Sequence, residues 1–173
     1  MPSVVADIAD PPSFEIDAPL GVIADTHGLL RDEACRVLED CALIVHLGDV
    51  GDKTILERLA TMAPLFTVRG NIDTQPWCDR LPMTQTLRVN GQCLHLVHNI
   101  DDFDRVTPCD VVLHGHSHKP RNEWQQDDGS LSPRLYFNPG GAGKRRFSLP
   151  ISVGKLWINP QQVRGAIIHL PLT

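Results

Sequence analysis

Short apolar runs separated by polar turns dominate the chain, and their lengths and spacing decide what each can form. Leu20-Gly21-Val22-Ile23-Ala24 is apolar throughout and stops at Asp25. Its length and branched side chains predict a strand buried on both faces, with Asp25-Thr26-His27-Gly28 as the following loop. From Arg31 to Asp40 the period changes: Ala34, Val37, Leu38 and Cys41 recur at helical spacing, which predicts an amphipathic helix. Ala42-Leu43-Ile44-Val45 then predicts a second strand leading through His46-Leu47 to Gly48-Asp49, and Ile55, Leu56, Leu59 and Met62 predict a second helix. Leu65-Phe66-Thr67-Val68 predicts a third strand, closed by Arg69-Gly70-Asn71-Ile72-Asp73. Strands alternating with helices in this half predict a largely parallel sheet with right-handed crossovers, hence an α/β fold.

Helical spacing fades in the second half. Asn90-Gly91, between Thr86 to Val89 and Cys93 to Val97, predicts a two-residue hairpin. Val111-Val112-Leu113 leads to Gly115-His116-Ser117-His118, and Leu135-Tyr136-Phe137 to Asn138-Pro139-Gly140-Gly141; both predict buried strands ending in tight turns. Ile151 to Ile158 and Val163 to Leu170 complete the chain with strand-like runs, and no internal repeat is visible.

A length of 173 residues suits one domain with one hydrophobic core. Residues 1–19, with Pro11-Pro12, Pro19 and several acidic groups, are expected to form a loose or docked extension, and residues 20–173 the domain itself. The start has neither a basic stretch nor a continuous apolar core, so no secretory signal or membrane anchor is expected there. The five cysteines are widely spaced and form no Cys-x-x-Cys pair, which suits reduced, buried thiols and a cytoplasmic protein. A formal charge of -5 argues against a protein that grips nucleic acid through phosphate contacts, so any phosphate it handles must be neutralised locally.

The polar residues at the strand ends suggest how. Ligands bind open α/β sheets outside the carboxyl ends of the strands. Asp25 and His27, Asp49, Asn71, His98, and His116 with His118 each stand just past a predicted strand. Carboxylate, amide and imidazole ligands without thiolate suit manganese, iron or zinc. Seven such groups exceed the four that a structural zinc takes, whereas two ions sharing a bridging carboxylate would use them all. Asp49, on the central loop of the three parallel units, is the expected bridge. Two ions about 3.5–4 Å apart can activate a bridging water and clamp the oxygens of an in-line phosphoryl displacement.

The motifs Asp25-x-His27, Gly48-Asp49, Gly70-Asn71-x-Asp73, His98 and Gly115-His116-Ser117-His118, then Asn138-Pro139-Gly140, are each weak alone. In this order, each after a strand, they resemble the calcineurin-like metallophosphoesterase superfamily, in its small single-domain prokaryotic phosphodiesterase branch. The resemblance covers nearly everything after Leu20. It implies a four-layer αββα sandwich of two mixed sheets flanked by helices. It also implies one divalent ion on Asp25, His27, Asp49 and His118 and another on Asp49, Asn71, His98 and His116. Manganese is the expected metal, with iron, nickel, cobalt or zinc as alternatives, and a metal-bridging hydroxide the expected nucleophile, with Asp49, Asn71, His98 and His116 closest to the chemistry.

Many members carry a His directly after the motif Asn; Ile72 stands there instead. An aliphatic side chain can neither bind phosphate nor protonate a leaving group, so small phosphodiesters with low-pKa leaving groups are the expected substrates. Asn99 follows His98 where Gly is common. Asp73 is expected to fix a ligand imidazole by accepting its second N–H, with capping of its own loop as the alternative. Arg69, and Arg146 of the Lys144-Arg145-Arg146 run, are candidate contacts to substrate phosphate, against a solvated surface role. His46, His95 and His114 invite a metal reading, but structural roles are expected; His114, His116 and His118 could share one face of an extended chain. Competing classes are a non-catalytic binding scaffold, as in the retromer subunit that resembles this fold, and a nuclease, which would need a basic track. No stable nucleic-acid or membrane partner is expected, and homo-oligomerisation is compatible with the sequence.

Overall fold

The computed structural model describes residues 10–128 and 132–171. Its first strand, β1 (Ser13–Phe14), precedes the expected domain start, and β2 (Leu20–Ile23), α1 (Asp32–Leu38), β3 (Leu43–His46), α2 (Lys53–Ala60) and β4 (Leu65–Thr67) then realise the alternating pattern. β5 (Thr84–Val89) and β6 (Gln92–Val97) form the hairpin about Asn90-Gly91; β7 (Val111–Leu113), β8 (Arg121–Gln125), β9 (Arg134–Asn138), β10 (Ser152–Asn159) and β11 (Gln162–His169) follow. Two mixed sheets result. One has the order β11-β10-β2-β3-β4, its β2, β3 and β4 parallel; the other has the order β1-β5-β6-β7-β9-β8, with β6, β7 and β9 parallel.

Alternation along each strand builds the layers. Leu20, Val22, Leu43 and Val45 turn inward and meet Leu94, Leu96, Val111, Leu113, Leu135 and Phe137 of the facing sheet, all fully buried. Truncating one of these leucines to alanine costs about 2–5 kcal/mol. The opposite faces of the same strands present Ile23 and Ile44 to Ala34 and Leu38 of α1 and to Ile55 and Leu59 of α2. Asp52 caps α2, accepting from Thr54 N at 2.9 Å.

The outer face of the six-stranded sheet carries a thinner cover. Val97, Val112 and Tyr136 pack there against Phe103 and Ile100, which belong to the 3₁₀ turn Ile100–Asp102 and the loop after it. Among the described residues both α-helices lie on the other side of the sandwich, so this fourth layer is built without one. Nothing in the apolar pattern predicts β8: Arg-Asn-Glu-Trp-Gln is a polar edge strand, antiparallel to β9. Ahead of β2, β1 pairs in parallel with β5, and Phe14 packs edge-on against Phe66 with ring centroids 5.5 Å apart. Asn90 accepts from Ile16 N and donates to the carbonyls of Ile16 and Ile158, tying residues before the domain to the hairpin turn.

All five cysteines are free thiols. Burial pushes Cys41 up to about 12 and Cys109 up to about 11, which suppresses the reactive thiolate. No helix of the described residues is long and apolar enough to cross a membrane.

Candidate metal centre

Each expected ligand stands where its strand ends: Asp25 and His27 after β2, Asp49 after β3, Asn71 after β4, His98 after β6, and His116 and His118 after β7. Asp25 (φ 56), His27 (φ 46), Asp49 (φ 56), His116 (φ 72) and His118 (φ 61) all adopt left-handed backbone. That region is sparsely populated by residues with side chains and persists where surrounding structure enforces it. Enforcement here comes from bonds between loops. Asp25 N donates to Gly48 O at 3.0 Å, His27 N to Asp49 O at 2.9 Å, Gly28 N to Val50 O at 2.8 Å and Gly115 N to His98 O at 2.9 Å. The turns also break the extended period at residues 114–118, so His114, His116 and His118 do not share a face as the spacing alone allowed.

The side chains gather in two groups: Asp25, His27 and His118, and Asp49, His98 and His116. In the first, His27 Nε2 lies 4.0 Å and His118 Nε2 3.8 Å from Asp25 Oδ1. All three atoms are buried and lack a hydrogen-bond partner. Orphaned buried acceptors are costly, and three converging ones fit a cation. In the second group, His98 Nδ1 sits 2.7 Å from Leu47 O, an atom that only accepts. The proton therefore belongs on Nδ1, and in the neutral ring Nε2 presents a lone pair. It faces Asp49 Oδ2 at 3.4 Å and His116 Nδ1 at 3.3 Å, an arrangement that calls for positive charge between them. Asp49 Oδ2 is also 3.4 Å from His27 Nε2, so one oxygen stands equally far from an imidazole of each group. Asn71 lines the same cavity as His98.

Local fields act differently across this donor set. Burial pushes Asp25 up to about 7, outweighing the pull of His98, and the Asp49 carboxylate adds to the rise. For Asp49 burial loses: hydrogen bonding and charge from His98, with the Ile72 N–H at 3.1 Å, hold it at about 2. Burial lowers His118 to about 4, helped by the charge of Arg146, and lowers His27 against the pull of Asp49. His98 rises because Asp49 outweighs its burial. Asp49 ionised and His27 and His118 neutral are the states a cation requires, whereas Asp25 and His98 are pushed the other way and give up a proton when a cation binds.

The calcineurin-like phosphoesterase superfamily domain matches residues 19–159. The chain belongs to this superfamily. A probable metallophosphoesterase of Methanothermobacter thermautotrophicus is 28% identical over 167 residues, covering 87% of this chain and 91% of the relative. A second, from Methanocaldococcus jannaschii, is 32% identical over 119 residues, 58% of this chain and 59% of the relative. Among solved structures, the E. coli phosphoesterase YfcE superposes with a TM-score of 0.65 at 24% identity, covering 87% of this chain and all (100%) of YfcE. Vps29 of Entamoeba histolytica, complexed with Zn²⁺, gives a TM-score of 0.65 at 20% identity over 84% of this chain and 88% of Vps29. These likenesses place the chain in the metallophosphoesterase fold.

The residues around the expected ligands have distinct tasks. Of the two roles expected for Asp73 the imidazole contact is corrected and loop capping is what it does: its carboxylate accepts from four backbone donors, Asp49 N at 2.9 Å, Val50 N at 3.0 Å, Gly51 N at 3.4 Å and Gly70 N at 2.8 Å. Leu47 O takes the His98 proton instead, because Asp73 is saturated by main chain. His46 joins two ligand loops, meeting Thr26 Oγ1 at 3.0 Å and accepting from Gly48 N at 3.1 Å. His95 lies on the far face of its sheet, beside Phe103 and 3.2 Å from Thr86 Oγ1, and His114 is buried off the ligand cluster. Asn138, fully buried, donates to Gly115 O and Ser117 Oγ and accepts from Gly140 N, holding the His116–His118 turn. Gly48 and Gly70 are required by close approach: a Cβ would stand 2.7 Å from His98 Nδ1 at the first and 2.1 Å from Asp49 N at the second. Arg69 donates through Nε to Asp73 O and lines the cavity beside Asn71. Arg146 is exposed, and its charge acts on Asp25, His27 and His118.

Proposed function

We propose that this calcineurin-like phosphoesterase is a dinuclear phosphodiesterase acting on small diesters. One divalent ion is held by Asp25, His27, Asp49 and His118 and the other by Asp49, Asn71, His98 and His116, with manganese the expected metal. The observation that carries this reading is Asp49 Oδ2, set 3.4 Å from both His27 Nε2 and His98 Nε2, where a shared carboxylate oxygen must lie. When bound, such ions supply an activated water nucleophile and offset charge on the phosphoryl oxygens.

The chain's own groups do the rest. Asp49 remains ionised to bridge; Leu47 O keeps the His98 proton on Nδ1; Asp73 and His46 hold the loops at their spacing. Arg69 and Arg146 are assigned to substrate phosphate, one on each flank of the centre. Ile72, 43% exposed at the rim, donates no side-chain proton, so turnover falls steeply as the leaving group becomes more basic. Residues 20–173 are the catalytic unit in this reading, with the preceding strand as an edge support.

Hydrolysis of a nitrophenyl phosphodiester, with manganese, iron, nickel, cobalt and zinc added in turn, tests it. Turnover is expected; metal binding without turnover by any of the five would overturn it. That outcome would favour the scaffold reading, to which the likeness to Vps29 points. Because the Entamoeba Vps29 itself carries Zn²⁺, metal binding alone does not separate the two, and turnover does.

A further inference from the structure

The phosphodiesterase reading leaves the alcohol arms of the substrate unspecified. A cavity of about 680 Å³ opens between the loop after β4 and the start of β5 and end of β6. It shares Asn71 and His98 with the candidate metal centre, so a group attached to a phosphorus atom held there enters it directly. The volume lies within the range of small-molecule pockets.

Its polar lining is of two kinds. Arg69 is pinned through Nε to Asp73 O at 2.8 Å, while its two terminal nitrogens make no hydrogen bond among the described residues. That leaves a rigid pair of donors available to the cavity. Asp102 spends its backbone N–H on Asn99 O at 3.0 Å, and its carboxylate accepts no hydrogen bond among the described residues. The two charges form no ion pair with each other. Thr74 and Thr84 add hydroxyls, and Met83, 63% exposed, adds an apolar surface.

We propose that this cavity holds one alcohol arm of the diester and selects a neutral, hydroxyl-rich arm, a sugar or polyol. Hydroxyl groups both donate and accept, so one such arm gives an acceptor to the Arg69 nitrogen that the phosphate leaves free and a donor to the Asp102 carboxylate, with its C–H face on Met83. An anionic arm meets Asp102, a cationic arm meets Arg69, and an alkyl arm strips water from both without replacing it. The cavity therefore discriminates by chemistry as well as by size.

The test uses the full chain loaded with manganese and nitrophenyl phosphodiesters that share one leaving group. The second arm is varied: ethyl, methyl riboside joined through its 5-hydroxyl, carboxyethyl, or trimethylammonioethyl. The riboside ester should show a kcat/KM about tenfold above each of the others, the worth of one hydrogen bond to a charged group. Asp102→Asn and Arg69→Gln should each bring the riboside-to-ethyl ratio close to one. Equal kcat/KM for all four esters, or a charged arm preferred, overturns the cavity assignment and leaves the phosphodiesterase reading standing. No turnover of any ester, with metal shown bound, sinks the phosphodiesterase reading instead. Titration calorimetry of methyl riboside 5-phosphate against ethyl phosphate then decides the cavity by itself: equal affinities overturn it, and tighter riboside binding that Asp102→Asn abolishes supports it.

Discussion

Asp73→Asn changes one atom in a loop that depends on it. In the native site Oδ2 accepts from Asp49 N and Gly70 N, and Oδ1 from Val50 N and Gly51 N. Whichever way the new amide turns, two backbone N–H groups lose their acceptor and face an NH₂ group. A hydrogen bond to a charged acceptor is worth about 1.5–3 kcal/mol net, so two at the lower bound give a loss of about 3 kcal/mol. For a domain of this size that corresponds to a fall of about 6–12 °C in Tm. Urea unfolding of the metal-free protein is the assay, since bound metal would add its own stabilisation to the native state. Metal uptake should weaken in parallel, because the freed donors flank Asp49. A stability change under about 0.5 kcal/mol, the range of an ordinary surface substitution, would refute the role given to this carboxylate.

Elemental analysis of ligand variants checks the bridging geometry: Asp49→Ala should lose both ions, whereas Asp25→Ala or His118→Ala should chiefly weaken one; equal loss of both in every variant would contradict it. Gly70→Ala places a methyl group 2.1 Å from Asp49 N, so metal uptake and phosphodiester turnover should both collapse while circular dichroism still reports a folded chain; a variant with wild-type metal content would show that the loop gives way cheaply. Far from the site, Asp127 is buried, and although burial opposes it, the Tyr136 hydroxyl, Arg105 and Arg134 hold its carboxyl below the usual range. A depressed carboxyl contributes stability that is fully present above its unfolded value of about 3.9 and lost as pH falls through the lower folded value. Asp127→Asn should therefore be less stable than wild type at pH 7 by about 3–5 kcal/mol, the cost of breaking a buried pair, with the gap narrowing in acid. Urea unfolding along a pH series measures that gap, and one that widens as pH falls would reverse the sign.

Several elements follow from short-range pattern. Leu20 to Ala24, Leu43 to Val45 and Val111 to Leu113 form strands because an uninterrupted branched run has few other ways to bury both faces, and Asn90-Gly91 makes its hairpin because the turn needs positive φ. β8 escaped the pattern because an edge strand open to solvent needs no apolar alternation. The thin layer over Tyr136 was equally hidden, since an arginine–carboxylate network and one 3₁₀ turn cover that face where an α-helix was expected.

The candidate site divides along the same line. That Asp, Asn and His residues follow the strands is written in the chain, as is the missing imidazole at Ile72. Local order could not say that Asp25, His27, Asp49, His116 and His118 adopt left-handed backbone, or that Asp49 Oδ2 falls midway between two imidazoles. Nor could it turn Asp73 from an imidazole partner into the acceptor for four main-chain donors. Strand and turn formation depend on neighbours a few residues apart, which the sequence displays. The positions of ligand atoms depend on hydrogen bonds between loops tens of residues apart, and those exist only once both sheets have packed.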